Sequence, residues 1–373
     1  MTSVRGGSKL FHYLLDSHPQ IICFPRTLKF EEFWYLIEGK NKSINSIADI
    51  FIDQYPRFFD GKIWSKYNIL DKADKLGEGF NETFKVDKNK FKNYFFELSK
   101  NEIDKSRKNV FINIHLAYHK ASGKNYINNS IILYHIHAVK NINSLRFCIN
   151  DFGIKKTKLV FMTKHPLLGM RSILKWMDNI KIPLPQRPST LYYYQNEVYL
   201  GLNEIERDFP NLDIKILLLE RLINNKSRLI NNFIQWINIQ WNDCLLIPTI
   251  HGKLWWGNAK DPKKGIDKDI ESFYPKGFLE TKDLDIINNL FQSRMKEYGF
   301  SNAPYKKTLL NIFKVKFFAL LPTFYEWELL KKLFKGNTGF MVRWSYYYVK
   351  RILLTISYSN NVKKLNIYQT RLL

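Results

Sequence analysis

Short runs of β-branched and aromatic residues alternate with segments of helical periodicity along this chain, and this alternation limits the fold more than any other feature. Buried strands are predicted by four such runs, at 110–114, 131–136, 158–162 and 214–219. Helices are predicted where apolar residues recur at helical spacing, at 10–15, 142–150, 168–177 and 190–209. Because parallel strands need long crossover connections that are usually helical, the pattern predicts an α/β fold with a three-layer parallel sheet flanked by helices.

The composition excludes several classes of protein. The 373 residues are 45% hydrophobic and 16% aromatic, which allows a sizeable core and excludes a disordered or collagen-like chain. Lys and Arg number 58 against 34 Asp and Glu, a net charge of +24. This balance favours polyanionic partners: nucleotides, sulfated or phosphorylated groups, nucleic acid or an anionic membrane surface. Cys23, Cys148 and Cys244 form no CxxC pair, which argues against a disulfide framework or a zinc ribbon.

The C-terminal part of the chain is more basic and more aromatic than the rest. Residues 305–373 contain thirteen Lys or Arg, two Glu and fifteen aromatic residues. We therefore predict an α/β domain at 1–300 and a basic, aromatic, helical C-terminal extension at 301–373. No apolar run is long enough to span a bilayer, and the first residues lack the apolar core of a signal peptide. We expect a cytoplasmic protein, with peripheral membrane contact through the C-terminal extension as a further expectation.

A glycine-rich loop precedes the first predicted helix, and its residues suit the binding of an anion. The loop comprises Arg5, Gly6, Gly7, Ser8 and Lys9. Glycine permits positive φ and close backbone approach, and the N–H groups at a helix N-terminus favour negative charge. The loop does not match GxxxxGK[ST], so a P-loop kinase or NTPase is not favoured. An ordinary glycine turn capped by Ser8 is the alternative.

A second basic motif follows the predicted strand at 158–162. Lys164 comes directly after this strand, Pro166 begins the next helix, and Ser172 lies eight residues after Lys164. A charge at the end of a strand and a hydroxyl about two helical turns on can converge on one phosphate group. The alternative is a strand–Pro–helix connection with a chance serine.

These two motifs resemble those of the sulfotransferase family, in its prokaryotic and glycan-type branch. The family's loop has Ser where Gly6 stands and Ser or Thr where Lys9 stands, and its second motif has Arg in place of Lys164. The resemblance implies the donor 3′-phosphoadenosine 5′-phosphosulfate (PAPS) and no metal ion. It implies that Arg5 to Leu10 bind the 5′-phosphosulfate and that Lys164 and Ser172 bind the 3′-phosphate. It covers roughly residues 1–300.

A third, weaker element lies further along the chain. The stretch 247–270 contains several Gly and Pro residues and is predicted to be a long loop. Within it, Lys263, Lys264 and Gly265 resemble the lid from which a basic residue reaches the 3′-phosphate in the sulfotransferase family. A solvated lysine run is the alternative.

Transfer of a sulfuryl group needs positive charge at the leaving phosphate and a general base for the acceptor. Arg5, Lys9 and the loop amides would stabilise the developing charge. By the resemblance, the base is a glutamate after the first helix, which points to Glu31 or Glu32, or a histidine at a strand end, which points to His137. His135 and His115 are the next choices, since each comes at the end of an apolar run, after Ile131 to Leu133 and after Phe111 to Ile114.

The acceptor is expected to be a small molecule or glycan that offers a hydroxyl group, with a carbohydrate as the first choice. The region 33–105 is expected to build the acceptor side, because it carries many rings on which a sugar could stack: Phe51, Tyr55, Phe58, Phe59, Trp64 and Tyr67. Under this hypothesis no nucleic acid is bound. The alternatives are a non-enzymatic basic protein that binds nucleic acid or an anionic membrane, and a degenerate sulfotransferase fold.

The resemblance also makes an expectation about the N-terminus. A loop of this kind normally follows a central strand of five or six apolar residues, but only Met1, Thr2, Ser3 and Val4 precede Arg5. The sequence therefore predicts that the α/β domain lacks its first strand.

Overall fold

The structure is a computed structural model of the chain. It describes residues 6–40, 42–63, 73–100, 105–125, 127, 129–137, 142–179, 181–200, 202–257, 295, 298–300, 317, 320–333, 338–361 and 372–373. Arg5, the expected absence of a first strand and the lid residues Lys263, Lys264 and Gly265 lie outside these ranges, as do Trp64 and Tyr67.

Two parallel strand pairs lie at the centre of the described fold. β1 (Ile21–Ile22) pairs with β2 (Ile131–Ile132), and β3 (Lys158–Thr163) pairs with β4 (Asp213–Leu218). The register of the second pair runs from Lys158 opposite Asp213 to Thr163 opposite Leu218. Parallel strands joined by helices confirm the mixed α/β character, whereas a single large parallel sheet is not formed by the described residues.

Helices cover both faces of the β3–β4 pair. On one face, Phe161, Ile214 and Ile216 pack with Leu145 and Ile205 of the flanking helices. On the other face, Met162 and Leu217 join a second core cluster that holds Leu14, Phe233 and further residues of two other helices. The alternation of side chains along each strand divides its apolar residues between these two cores.

The helices of this α/β part include three that lie where the sequence predicts them. The helices of this part are α1 (Ser8–Leu15), α7 (Ile142–Phe152), α8 (Pro166–Asn179), α9 (Arg187–Leu200), α10 (Asn203–Asp208), α11 (Leu219–Asn224) and α12 (Lys226–Ile237). The predictions at 10–15, 142–150 and 168–177 are confirmed. The segment predicted as one helix at 190–209 forms two, α9 and α10. Short 3-10 helices lie at Ile154–Lys156, Leu184–Gln186 and Asp243–Leu246.

Between β1 and β2 the chain forms a helical insert with an aromatic core. Its helices are α2 (Phe30–Ile37), α3 (Ile44–Gln54), α4 (Pro56–Phe59), α5 (Lys88–Leu98) and α6 (Arg107–Ala121). Rings such as Phe33, Phe51 and Phe91 are fully buried in one cluster. Most of its large apolar side chains therefore serve packing within the insert.

The strand predicted at 110–114 is wrong, because these residues lie inside α6. Ser106 caps this helix by accepting a hydrogen bond from the Asn109 N–H. The buried residues then recur at helical spacing well beyond the apolar run, at Val110, Phe111, Ile114, Ala117, Tyr118 and Ala121. A short apolar run does not distinguish a strand from a buried helix, and the longer pattern decides here.

The stretch after residue 247 begins with a hairpin rather than an irregular loop. β5 (Thr249–Ile250) and β6 (Lys253–Leu254) are antiparallel and joined by His251 and Gly252. Both turn residues have positive φ, 53° and 74°, as a two-residue hairpin turn of the primed type requires.

Two further helices, α13 (Phe324–Leu333) and α14 (Thr338–Asn361), lie in the predicted C-terminal extension. Trp344 and Leu354 of α14 and Leu329 of α13 pack with α8 and α9. A buried ion pair joins the two helices, with Arg351 Nε 2.7 Å from Glu326 Oε1. Among the helices that the structure describes, none has both the length and the apolar character to cross a membrane.

Candidate functional site

The strand ends of β2, β3 and β4 and the N-terminus of α1 meet at one edge of the structure. Three contacts define this edge. Ser8, at the start of α1, lies against His135, which follows β2. Gly7 lies against Leu219, which follows β4. Because Thr163 and Leu218 are paired in register, Lys164 and Leu219 leave neighbouring strand ends. The predicted loop and the second basic motif therefore share this edge.

Gly7 holds the backbone of the loop in a left-handed conformation. It caps α1 with φ 85° and ψ 9°. A Cβ at this position would lie 2.6 Å from Cδ1 of Leu219, so the loop backbone packs tightly on the end of β4. Both constraints favour glycine here. The N–H groups of the first turn of α1, which lack partners within the helix, therefore start from a fixed turn.

The hydroxyl of Ser8 is held by a buried histidine. Its Oγ lies 3.0 Å from Nε2 of His135, and Nδ1 of the same ring lies 3.3 Å from Oγ1 of Thr27. Burial, reinforced by nearby His12, lowers the pKa of His135 well below its ordinary value. His135 is therefore neutral at physiological pH and positions Ser8 without adding charge.

Lys164 is a buried cation that follows β3, with 8% of its surface exposed. Its Cε lies 3.6 Å from the place a Cβ on Gly169 would occupy, so the side chain runs along the first turns of α8. Ser172 is half-buried and one helical turn beyond Gly169. Lys164 thus extends along the surface of α8 from which Ser172 projects.

Glu220 is a carboxylate at this edge that the sequence patterns did not single out. Its Oε1 accepts a hydrogen bond of 2.8 Å from the His165 N–H, and Oε2 is buried without a hydrogen-bond partner among the described residues. Desolvation raises the pKa of Glu220 against the opposing effects of His165 and Lys164. A signal was available, since Glu220 follows a predicted parallel strand and the carboxyl ends of such strands form the site crevice.

The three predicted bases differ in their surroundings. Glu31 accepts a hydrogen bond from the Tyr134 hydroxyl, with Oε2 at 3.0 Å. Glu32 is exposed and pairs with Lys29 at 2.5 Å. His137 is exposed at the end of the segment that follows β2, its ring 6.2 Å from that of His135. Of the three, His137 lies nearest in sequence to His135, the residue that contacts Ser8.

His115 is not at a strand end, because it belongs to α6. Its ring is fully buried between Phe24 and Phe111, with centroid distances of 4.6 and 4.3 Å. Burial lowers its pKa to about 4. The expectation that His115 ends a strand is therefore wrong, and its burial argues against a role as the general base.

A second polar cluster surrounds Asp16, the residue that follows α1. Asp16 is buried and accepts hydrogen bonds from Thr249 Oγ1 at 3.1 Å and from the Gly252 N–H at 3.0 Å. Lys124 lies 3.6 Å away. Burial alone would raise the pKa of Asp16, but Lys124 and the other partners lower it. The carboxylate therefore stays ionised and fixes the β5–β6 hairpin to α1.

The predicted sugar-stacking rings of the helical insert are largely inaccessible. Phe51, Phe58 and Phe59 are each at most 3% exposed. Tyr55 is partly buried and stacks on Phe58 with a centroid distance of 5.0 Å. The expectation that Phe51, Phe58 and Phe59 receive a sugar is therefore wrong.

Within the described ranges, His, Cys, Asp and Glu side chains form no group of three or more arranged to hold a metal ion. Comparisons of the chain with protein-family models, with curated proteins and with solved structures found no match.

Proposed function

We propose that this protein transfers a sulfuryl group from PAPS to a hydroxyl acceptor. One observation carries the proposal: two basic motifs more than 150 residues apart meet at neighbouring strand ends, through the contact of Gly7 with Leu219 and the pairing of Thr163 with Leu218. A donor with a 5′-phosphosulfate and a 3′-phosphate needs two anion sites at one edge.

We further propose that the two parallel pairs belong to one three-layer sheet. β1 and the segment that follows β2 contribute to the same two cores as the β3–β4 pair, which supports this arrangement. Ile21 and Leu133 pack in the cluster with Leu217, and Ile136 packs in the cluster with Ile216 on the opposite face. A common pair of faces is what a continuous sheet would produce.

In this proposal the loop binds the phosphosulfate. The N–H groups of Gly7, Ser8, Lys9 and Leu10 would contact the bridging and phosphate oxygens, with the neighbouring Gly6 allowing close approach. The charges of Lys9 and Arg5 would stabilise the negative charge that develops on the leaving phosphate. His135 would keep the Ser8 hydroxyl in place for this contact.

The 3′-phosphate would lie over the start of α8. Lys164 supplies the positive charge and Ser172 a hydroxyl donor, and Lys263, Lys264 and Gly265 are proposed to close over the same group. A lysine offers a point charge and not the two-pronged contact of an arginine. Positioning by these groups, together with electrostatic stabilisation, would supply most of the catalysis.

We propose His137 as the general base that takes the acceptor proton. Its exposure would let an acceptor approach, and it follows the strand whose end contacts the loop. Glu31 and Glu32 remain the competing assignments, although the hydrogen bond from Tyr134 and the ion pair with Lys29 engage them elsewhere. A small-molecule or glycan hydroxyl is the proposed acceptor.

Calorimetric titration with 3′-phosphoadenosine 5′-phosphate, with and without a chelator, tests the donor site. We expect micromolar affinity that does not depend on magnesium. Ser172→Ala should weaken binding by about 0.5–1.5 kcal/mol, the net contribution of a neutral hydrogen bond. Ser345→Ala, which removes an exposed hydroxyl from α14, is the matched control and should bind like the parent.

Absence of heat at millimolar nucleotide would exclude the donor site. If binding is found, incubation with labelled PAPS and fractionated cell extract should label an acceptor. Binding without transfer to any fraction would indicate a degenerate transferase fold that retains only the nucleotide site.

A further inference from the structure

α14 has two opposite faces, and only one of them is used by the described fold. Trp344, Arg351 and Leu354 point towards α8, α9 and α13, and each is at most 9% exposed. Val342, Tyr346, Val349 and Leu353 are 72%, 52%, 50% and 59% exposed. The second set, which we call the outer stripe, is spaced by four, three and four residues.

This spacing places the outer stripe on one line along the helix. At about 100° per residue, its four side chains fall within an arc of roughly 60°, on the side opposite Trp344 and Arg351. Isolated exposed apolar residues are ordinary, but a continuous line of them on a single helix indicates an interaction surface.

Basic groups flank the outer stripe. Arg343 is exposed, and the Lys350 amine lies 4.4 Å from the centroid of the Tyr346 ring. Residues 305–373, which include α14, carry thirteen Lys or Arg against two Glu, so this part of the sequence is strongly basic. An apolar line with cationic neighbours and a tyrosine is the chemistry of a helix that lies in an anionic membrane interface.

Other partners fit this surface less well. Val342, Val349 and Leu353 offer no flat ring on which a nucleic-acid base could stack. A second copy of the chain would bring two strongly basic surfaces together. We propose that the outer stripe of α14 lies in the plane of an anionic phospholipid membrane surface, with Arg343 and Lys350 at the level of the headgroups.

Vesicle sedimentation tests this proposal on the full chain. Phosphatidylcholine vesicles with and without phosphatidylserine should be compared, and binding should require the anionic lipid. The V349E/L353E variant should reduce the bound fraction at least tenfold, because both residues enter the apolar layer. Ile247→Glu, at another exposed apolar position, is the matched control and should bind like the parent.

Two further measurements test whether the variant is folded and whether the outer stripe enters the bilayer. Far-UV circular dichroism should show that V349E/L353E is folded, as expected for substitutions at exposed positions. The fluorescence of a Tyr346→Trp variant should be quenched by brominated lipid if the stripe enters the bilayer surface.

Absence of binding to phosphatidylserine vesicles, or equal binding by V349E/L353E and the parent, would overturn the proposal. A dimer of the parent that V349E/L353E converts to a monomer, without vesicle binding, would assign the stripe to a second copy instead. If the parent binds oligonucleotides but not vesicles, and V349E/L353E loses that oligonucleotide binding, the outer stripe would be assigned to nucleic acid. Nucleotide binding at the strand-end edge should be the same in all these variants, so failure of this proposal and failure of the sulfotransferase proposal are distinguishable.

Discussion

The Ser8 hydroxyl lies 3.0 Å from Nε2 of the buried His135, and this contact joins the loop before α1 to the segment after β2. The same ring also contacts the Thr27 hydroxyl, at 3.3 Å. His135 thus connects three separate segments. Because its ring is neutral, it positions the two hydroxyl groups and adds no charge to the site.

Replacement of His135 and of His137 should have different effects. His135→Ala should weaken binding of the donor nucleotide by about threefold to tenfold, because one hydrogen bond to Ser8 is lost. His137→Ala should leave nucleotide affinity unchanged and lower the turnover number by about 10²–10⁴, the usual contribution of a general base. Calorimetry and a transfer assay measure the two effects. Equal turnover in His137→Ala and the parent would disprove the assignment of the base.

Substitution of Gly7 should disturb the loop more than substitution of another glycine with positive φ. Gly7→Ala adds left-handed strain of roughly 1–2 kcal/mol and also displaces the Leu219 side chain. Gly39 has φ +68° but nothing within 4 Å of an added Cβ, so Gly39→Ala reports the strain alone. Urea denaturation and nucleotide titration should show a larger loss in Gly7→Ala, and equal losses in both variants would contradict the packing of the loop on β4.

The close crossing of α8 and α9 depends on Gly169. A Cβ here would overlap the hydroxyl of Tyr194, which donates a hydrogen bond of 3.2 Å to the Pro166 carbonyl. Gly169→Ala should lower the free energy of unfolding by about 1–3 kcal/mol, the cost of overpacking. Combining it with Tyr194→Phe removes the overlapping oxygen and should recover part of that loss. Additive losses in the double mutant would show that the two residues do not meet.

The buried pair of Arg351 and Glu326 should be sensitive to loss of one partner. Arg351→Met leaves the Glu326 carboxylate buried without its cation and should cost about 3–5 kcal/mol of unfolding free energy. The pair of Lys331 and Glu328, on the same helix as Glu326 and more exposed, is the control: Lys331→Met should cost less than about 1 kcal/mol. Similar losses from both substitutions, measured by urea denaturation, would argue against burial of the first pair.

His115 should make the protein sensitive to acid. Its pKa is about 4 in the folded protein and near 6.5 when exposed, so the unfolded chain binds more protons between these values. Unfolding free energy should therefore fall as the pH is lowered from about 6.5 to 4, by up to about 3 kcal/mol from this residue. In His115→Leu the stability should change less over this range. An unchanged slope would show that His115 does not titrate as its burial implies.

The elements that the sequence predicted well are those with a continuous apolar run or a clear start signal. β3, β4 and α8 follow from buried runs and from Pro166, and these same elements place Lys164 and Leu219 at adjacent strand ends. The grouping of the loop with the second basic motif could thus be anticipated from local signals together with the topology of parallel strands.

Other features depend on tertiary contacts that local patterns do not encode. The run at 110–114 is as apolar as a strand, and its buried positions indicate a helix only when they are followed on to Ala117, Tyr118 and Ala121. The hydrogen bond between Ser8 and His135 joins residues 127 positions apart. The position of Glu220 after a predicted strand can be read from the sequence, but the contact of its Oε1 with the His165 N–H and the burial of its Oε2 depend on the fold.

The helical insert begins after β1 and ends at β2. Because these two strands are paired, the two ends of the insert lie side by side. The Ile131 N–H donates to the Gln20 carbonyl at 2.8 Å, and the Leu133 N–H donates to the Ile22 carbonyl at 2.9 Å. Closing a chain excursion costs little more as it grows, since the entropy depends on the logarithm of its length. The insert can therefore lengthen, shorten or be exchanged during evolution while the strand ends keep their places. The strand-end edge that we propose as the donor site would then keep its geometry while the insert side changes.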